Sequence, residues 1–245
     1  MTDTGSASPM THAIIAAAGK GQRMSAAAPK QYLDLGGRAI VGHALSAFDR
    51  CGAVDRIVLV VPEGDLDFCR DTLLPPLDIQ KPLELTAGGR TRQDSVSRGL
   101  SACGNFDGIV VIHDGARPFV DPGDIEACVR GAKIHGACVI GRPCFDTLKR
   151  LGAGGIIEKT VERKRLWTVQ TPQAFHRDLI QKALDQAKRE NFQATDEAGL
   201  VERMGVGVRM EKGSALNIKI TAPEDLALAR AIVREMGRKG TEAVK

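Results

Sequence analysis

Long apolar runs are missing from this sequence: no stretch approaches the roughly 20 residues a membrane-spanning helix needs. A helical membrane protein is therefore excluded. Aromatic residues are scarce, with seven Phe, one Trp and one Tyr, and the net charge is only +4. That leaves few stacking platforms and no strong basic field, so nucleic acid is not the expected partner. The mild cation excess favours small anionic ligands instead. Cysteines are dispersed, at Cys51, Cys69, Cys103, Cys128, Cys138 and Cys144, and no CxxC occurs. A disulfide framework and a zinc site both lack their spacing. The thiols read as reduced small hydrophobes, as in a cytoplasmic protein. Met1 to Met10 (MTDTGSASPM) lacks the basic stretch and apolar run of a secretory signal. Residues 1–11 are expected to form a tail.

What is present suits one large domain. The chain has 245 residues, of which 43% are hydrophobic and 26% charged, enough to bury a sizeable core without staples. Apolar β-like runs alternate with helical patterns. His12 to Ala18, Asp55 to Val61, Leu83 to Thr86, Gly108 to His113 and Ala137 to Ile140 read as strands. Arg38 to Arg50, Asp65 to Leu74, Thr91 to Ala102 and Pro122 to His135 read as helices, with Thr91 a plausible N-cap. Further helices are expected at His176 to Glu190, at Thr195 to Met204 and from a capping box Thr221–Glu224 to about Met236; Val206 to Met210 and Ile218 to Ile220 read as strands. The alternation predicts an α/β fold: a doubly wound, mainly parallel sheet covered on both faces, with ligands at the carboxyl ends of its strands. A single domain over 12–237 followed by a polar tail at 238–245 is the expected organisation. Arg142 to Arg165 breaks the pattern, being polar, basic and Gly-rich. It is either a mobile loop or an arm that packs on another subunit.

The sharpest chemical signal follows the first strand: Ala17-Ala-Gly-Lys-Gly-Gln-Arg-Met24, then Pro29-Lys30-Gln31. A strand feeding a Gly-rich turn can aim several backbone N–H groups at one anion. A dinucleotide fingerprint fails, because Met24 stands where its third glycine belongs; a Walker A loop fails, because Gly21 follows Lys20. A nucleoside triphosphate held by backbone amides remains, with Arg23 and Lys30 as cations that offset charge built up during phosphoryl or nucleotidyl transfer. The alternative is a Gly-rich turn with solvated cations. No Gly-x-Ser-x-Gly elbow supports a serine nucleophile. His113 beside Asp114 has no second metal ligand at useful spacing and reads as structural.

Ala17–Arg23 with Pro29-Lys30-Gln31 resembles the signature of sugar-nucleotide and related nucleotidyltransferases. Gly88–Ser95 (GGRTRQDS), His113–Pro118 (HDGARP), Asp146–Lys149, Leu166–Gln173 (LWTVQTPQ), Thr195–Glu197 and Asn217–Lys219 then occur in the order of one family. Together they resemble the 2-C-methyl-D-erythritol 4-phosphate cytidylyltransferases, from about Ala13 to Val233. The resemblance implies a Rossmann-like nucleotidyltransferase fold with a protruding dimerisation arm. It implies transfer of CMP from CTP to the methylerythritol phosphate with release of pyrophosphate, a divalent metal (usually Mg²⁺) held mainly through the CTP phosphates, and a homodimer.

By the same resemblance, Ala17, Ala18, Gly19 and Gly21 meet the nucleotide. Arg23 and Lys30 stabilise the transition state. Gly89 and Ser95 read the cytosine edge. Asp114 and Arg117 contact the polyol hydroxyls. Arg163, Thr171 and Lys219 hold the acceptor phosphate, with the Arg and Thr coming from the arm side of the partner subunit. Gly115 departs from the family, which often has alanine there. Each residue also has a plain alternative: Asp114 and Arg117 pairing across a turn, Arg163 on a solvated basic run, Lys219 on an edge strand, Thr171 shaping a turn before Pro172. Rival functions are a cytidylyltransferase for another polyol phosphate such as ribitol 5-phosphate, a guanylyl- or uridylyltransferase, and a catalytically silent nucleotide-binding regulator.

Overall fold

Most strands of the central sheet share one direction because each is followed by a covering segment that returns the chain to the same end. The computed structural model describes residues 9–19 and 29–242, with side chains through 237. In chain order the elements are β1 (Met10–Ala16), α1 (Ile40–Arg50), β2 (Arg56–Val61), the single turn α2 (Leu66–Phe68), β3 (Leu83–Ala87), α3 (Arg92–Ala102) and β4 (Gly108–Asp114). Then come α4 (Pro122–His135), β5 (Ala137–Pro143), the short strands β6 (Leu148–Leu151) and β7 (Ile157–Val161), β8 (Trp167–His176), α5 (Arg177–Arg189), α6 (Glu197–Arg203), β9 (Arg209–Lys212) and α7 (Pro223–Glu242). The seven-stranded sheet has the order β3-β2-β1-β4-β8-β5-β9. All its pairings are parallel except those of β8, which is antiparallel to β4 and β5.

Strand alternation divides the core between the two faces of the sheet. Ala13 and Ile15 of β1 and Ile109 and Val111 of β4 pack with Val41, Leu45 and Phe48 of α1 and Ile125, Cys128 and Val129 of α4. Ile14, Val110 and Ile112 pack the other way, against Val96 and Leu100 of α3, Ile180 and Leu184 of α5 and Val201 of α6. Phe48 and Phe175, both fully buried, contribute roughly 1.5–3 kcal/mol each through burial. The expected doubly wound, mainly parallel sheet is the observed one.

Several local expectations are corrected. The strand read at Ile218 to Ile220 is an extended segment outside any ladder. It is held instead by its own edge contacts, such as Ile220 N–H donating to the Ala116 carbonyl at 2.9 Å. The expected box at Thr221–Glu224 is made by Asp225, whose carboxylate accepts from the Thr221 and Ala222 N–H groups at 2.7 and 2.9 Å. β9 starts at Arg209 rather than Val206, and β1 already at Met10. The helix expected to stop near Met236 continues along the backbone to Glu242.

The element missed altogether is β8. Pro172 and the run of Gln and Thr argue against a central strand. The strand forms because the ladder to β5 is irregular around Pro172, with Val139 opposite Gln173 and Gly141 opposite Val169. Its buried polar side chains find partners in the site below. Beyond the sheet, β6 and β7 pair as a separate antiparallel hairpin. Together with the outer ends of β5 and β8 they make up the segment read at 142–165 as a mobile loop or an arm. It is less polar than expected: Phe145, Ile156, Ile157 and Trp167 are exposed, Ile156 by 73%.

Candidate active site

The chain runs from β1 outward to β3 and then returns to β4 on the other side of β1. This reversal opens a crevice at the carboxyl ends of the two strands. Ala16 of β1 lies opposite Asp114 of β4, so the turn after β1 and the start of the loop after β4 face each other. A cleft of about 460 Å³ occupies this place. Ala17, Ala18, Gly19, Lys30, Gly89, Ser95, Asp114 and Lys219 all line it, which unites residues from distant parts of the chain. Gly21 and Arg23 lie outside the described residues.

The end of the cleft where β1 and β3 finish is shaped by close backbone approach. A Cβ on Gly88 would stand 2.2 Å from the Ala18 Cβ, and one on Gly89 2.3 Å from the Asp94 Cβ. Only glycine allows the β3 loop to fold over the first turn here. The Ser95 hydroxyl accepts from the Gly89 N–H at 3.1 Å and donates to the Thr91 carbonyl at 2.9 Å. Thr91 and Asp94 form the capping box of α3, so the expected N-cap is observed. Ser95 thus orders the loop as well as lining the cleft. Lys30 donates from Nζ to the Ile220 carbonyl at 3.0 Å, which ties the short turn at Lys30–Tyr32 to the chain beside Lys219.

Asp114 is the electrostatic centre of the other end of the cleft. Arg92 donates to its Oδ1 through Nε and lies within 3.0 Å through Nη2. Lys219 Nζ stands 2.7 Å from Oδ2, and Arg117 Nε 3.8 Å from it. Burial works to raise the Asp114 pKa, but the Arg92 and Lys219 charges outweigh it and hold the carboxyl far below its ordinary range. Arg92 also donates through Nη1 to Glu197 Oε1 at 2.5 Å. Burial opposes the Arg92 charge, yet Glu197 and Asp114 raise its pKa above the usual value. Arg92, Arg117 and Lys219 gather on Asp114 and Glu197, and Lys30 lines the same cleft. Arg92, Arg117 and Lys219 outnumber the two carboxylates they gather on, an imbalance that suits a polyanion.

Beneath Asp114 lies a buried polar chain. The Asp114 N–H donates to Thr171 Oγ1 at 3.1 Å, Thr171 Oγ1 lies 3.0 Å from His113 Nδ1, and His113 Nε2 lies 3.1 Å from the Arg117 carbonyl. A carbonyl only accepts, so Nε2 carries the proton and Nδ1 takes the Thr171 hydroxyl hydrogen. Burial pushes the His113 pKa down to about 4. The expected outcome is an imidazole that stays neutral at pH 5.5, read as an unshifted His113 Cε1–H resonance in an NMR titration; a midpoint near 6.5 would contradict it. The sign for stability follows: the unfolded histidine takes up a proton between pH 6.5 and about 4 while the folded one does not, so this contribution is lost as pH falls through that window.

Three expected acceptor-side residues stand differently. Thr171 is 4% exposed within β8, and its hydroxyl is committed to Asp114 and His113. It therefore builds the floor under Asp114 in its own subunit rather than reaching across from an arm. Arg117 sits behind Asp114 and donates to the Asn217 carbonyl at 2.8 Å, bracing the segment that carries Lys219. Arg163 is exposed in the turn after β7 and does not line the cleft. Sequence reasoning missed Arg92, Glu197 and Gln173 as site residues, although all three lie within motifs that carried the resemblance. A spacing pattern marks such stretches but does not say which side chains meet.

A cleft at the switch point of a parallel sheet, with a Gly-rich first turn and clustered cations, defines a nucleotidyltransferase of the Rossmann-like class. The comparisons narrow it. The family model for 2-C-methyl-D-erythritol 4-phosphate cytidylyltransferase matches residues 11–235. A cytidylyltransferase of that name from Pelotomaculum thermopropionicum is 46% identical over 231 residues, covering 94% of this chain and 97% of that protein. One from Syntrophus aciditrophicus is 44% identical, over 94% and 99%. The crystal structure of the cytidylyltransferase from Thermus thermophilus superposes with a TM-score of 0.76 at 33% identity, over 93% and 100% of the two chains. The chain belongs to the 2-C-methyl-D-erythritol 4-phosphate cytidylyltransferase family, and it is an enzyme of that activity.

Proposed function

We propose that the cleft performs the family reaction, CMP transfer from CTP to 2-C-methyl-D-erythritol 4-phosphate, by in-line attack at its acceptor end. A phosphate oxygen of the methylerythritol phosphate forms a bond to the α-phosphorus of CTP, the bond to the bridging oxygen breaks, and pyrophosphate leaves. The observation that carries this reading is Asp114 clamped between Arg92 and Lys219 beside the Gly-rich turn. Two anions must meet, and Coulomb repulsion is the main obstacle. Lys30, which lines the cleft, is assigned to offset the charge that accumulates on the α-phosphate, with Arg23 its partner in the motif. Lys219 receives the acceptor phosphate, and Asp114 accepts from a polyol hydroxyl. Holding the acceptor in line removes several kcal/mol of entropic barrier. No general base is needed, since a phosphate monoester is already ionised near pH 7.

The carboxylate nearest the acceptor end fits no resident metal: both Asp114 oxygens are committed to cations. We assign magnesium to the nucleotide substrate, as MgCTP, and no step of the chain's own residues depends on it. Among the described residues no helix is long and apolar enough to cross a membrane, and a cytoplasmic location is the reading that suits this small-molecule chemistry. Pyrophosphate release with CTP and Mg²⁺ tests the function. Methylerythritol phosphate should support turnover, and ribitol 5-phosphate should not; the reverse would reassign the acceptor.

We further propose a homodimer formed through the arm, because its exposed apolar residues form a surface with no cover among the described residues. Arg163, on that arm, then serves the partner's acceptor phosphate. Arg163→Ala and Lys30→Ala subunits should each be nearly inactive. After random exchange, half the dimers are mixed and each carries one intact site, so activity should return to about a quarter of wild type. Confirmed mixed dimers without activity would place Arg163 outside the site.

A further inference from the structure

Glu197 has an unusual position for a charged residue. It is 1% exposed, in the first turn of α6. One oxygen accepts from Arg92; the other is buried with no hydrogen-bond partner among the described residues. It does not line the cleft. The structure places it with care nonetheless. The Gln173 side chain donates to Asp196 Oδ2 at 2.8 Å and accepts from the Ala198 N–H at 3.1 Å, gripping the residues on both sides of Glu197. Gln173 sits two residues along β8 from Thr171, which holds the Asp114 N–H. One strand thus fixes Asp114 from below and Glu197 from the side.

The link between the two carboxylates is the Arg92 guanidinium. It is planar, and its Nη1 on Glu197 sets the plane in which Nε and Nη2 meet Asp114 Oδ1. Lys219 occupies the other oxygen, Oδ2. When Lys219 turns to an arriving phosphate, Oδ2 becomes available to a hydroxyl, while Arg92 still keeps Asp114 ionised and aimed. We propose that Glu197 is a positioning residue that acts through Arg92 to orient Asp114, and so sets the enzyme's selectivity for the polyol hydroxyl. This rests on the reading of Asp114 as the hydroxyl acceptor.

The test must separate orientation from net charge, because removing Glu197's charge strengthens the positive field for every anion. Analogues of methylerythritol 4-phosphate lacking one hydroxyl carry the same charge as the substrate. The ratio of kcat/KM for the substrate to that for each analogue therefore cancels the field effect. Glu197→Gln keeps the shape and an acceptor for Arg92. It should lower that ratio about tenfold for one hydroxyl, the size expected from weakening one charged hydrogen bond. Arg92→Lys, which cannot bridge both carboxylates, should lower it for the same hydroxyl and at least as far, with CTP affinity within about twofold of wild type. Asp114→Asn identifies that hydroxyl. If Asp114→Asn lowers no ratio, the reading of Asp114 itself fails. If it lowers one while Glu197→Gln and Arg92→Lys, both folded by thermal melting, leave it unchanged, the positioning role fails alone. If Arg92→Lys mainly weakens CTP binding, Arg92 serves the nucleotide and the proposal is overturned. Should Glu197→Gln not fold, Arg92→Lys decides by the same ratio.

Discussion

Replacing Lys30 by alanine should lower kcat about a thousandfold while the Kd for CTP rises less than about tenfold. The asymmetry follows from where charge moves. The triphosphate carries its charge before and after binding, but negative charge gathers at the α-phosphate oxygens only as the attacking oxygen arrives. A cation at that point is worth most in the transition state. Lys30 is set for this by its hydrogen bond to the Ile220 carbonyl, which fixes the ammonium beside the segment carrying Lys219. Lys30→Arg keeps the charge and should restore part of the rate, limited by the bulkier head at the same anchor. Equilibrium CTP binding with single-turnover kinetics separates the two effects. Wild-type turnover in Lys30→Ala, or a loss confined to CTP affinity, would remove Lys30 from the catalytic step.

Lys219→Ala should act on the other substrate. The expected loss is about 100- to 1000-fold in kcat/KM for methylerythritol phosphate, with CTP affinity changed less than about threefold. Lys219 stands 2.7 Å from Asp114, so the substitution removes the proposed phosphate cation and one partner of that carboxylate together. Arg92 remains on the opposite oxygen, and Asp114 should therefore stay ionised and the fold intact. Lys219→Arg should recover only part of the loss, because a fork cannot take the place of a point charge between Asp114 and a phosphate. Steady-state kinetics varying each substrate in turn give the answer. An equal loss for both substrates would show that Lys219 tunes the field of the whole cleft and not one phosphate.

Around Asp114 the motifs supplied some of the side chains and the fold supplied the rest. Both predictions concern residues that were named from motifs. The geometry added Arg92, Glu197 and Gln173, and it moved Thr171 from a phosphate ligand to the buried support of Asp114. The active cleft is thus narrower in ligands and deeper in supporting polar contacts than a motif list suggests. Gln173 illustrates the point: its amide lies outside the cleft lining, yet it holds the start of α6 from within the sheet.

What the sequence determined by itself is local or periodic. Continuous apolar runs such as Ile57 to Val61 announce strands buried on both faces, and Thr91 announces the start of α3, because burial pattern and capping act over a few residues. The Gly-rich stretch with Lys30 reads as a candidate anion cradle for the same reason: backbone approach to an anion needs small residues next to one another. Only the tertiary structure decided the rest. β8 contains Pro172 and buried Gln and Thr, so its intrinsic preference argues against a central strand. It is stabilised by β4 and β5 on either side and by hydrogen bonds from Gln170, Thr171 and Gln173 to segments far along the chain. The charge centre at Asp114 likewise joins residues 92, 114, 117, 197 and 219. Their meeting depends on the order of strands in the sheet, and no window along the sequence contains it.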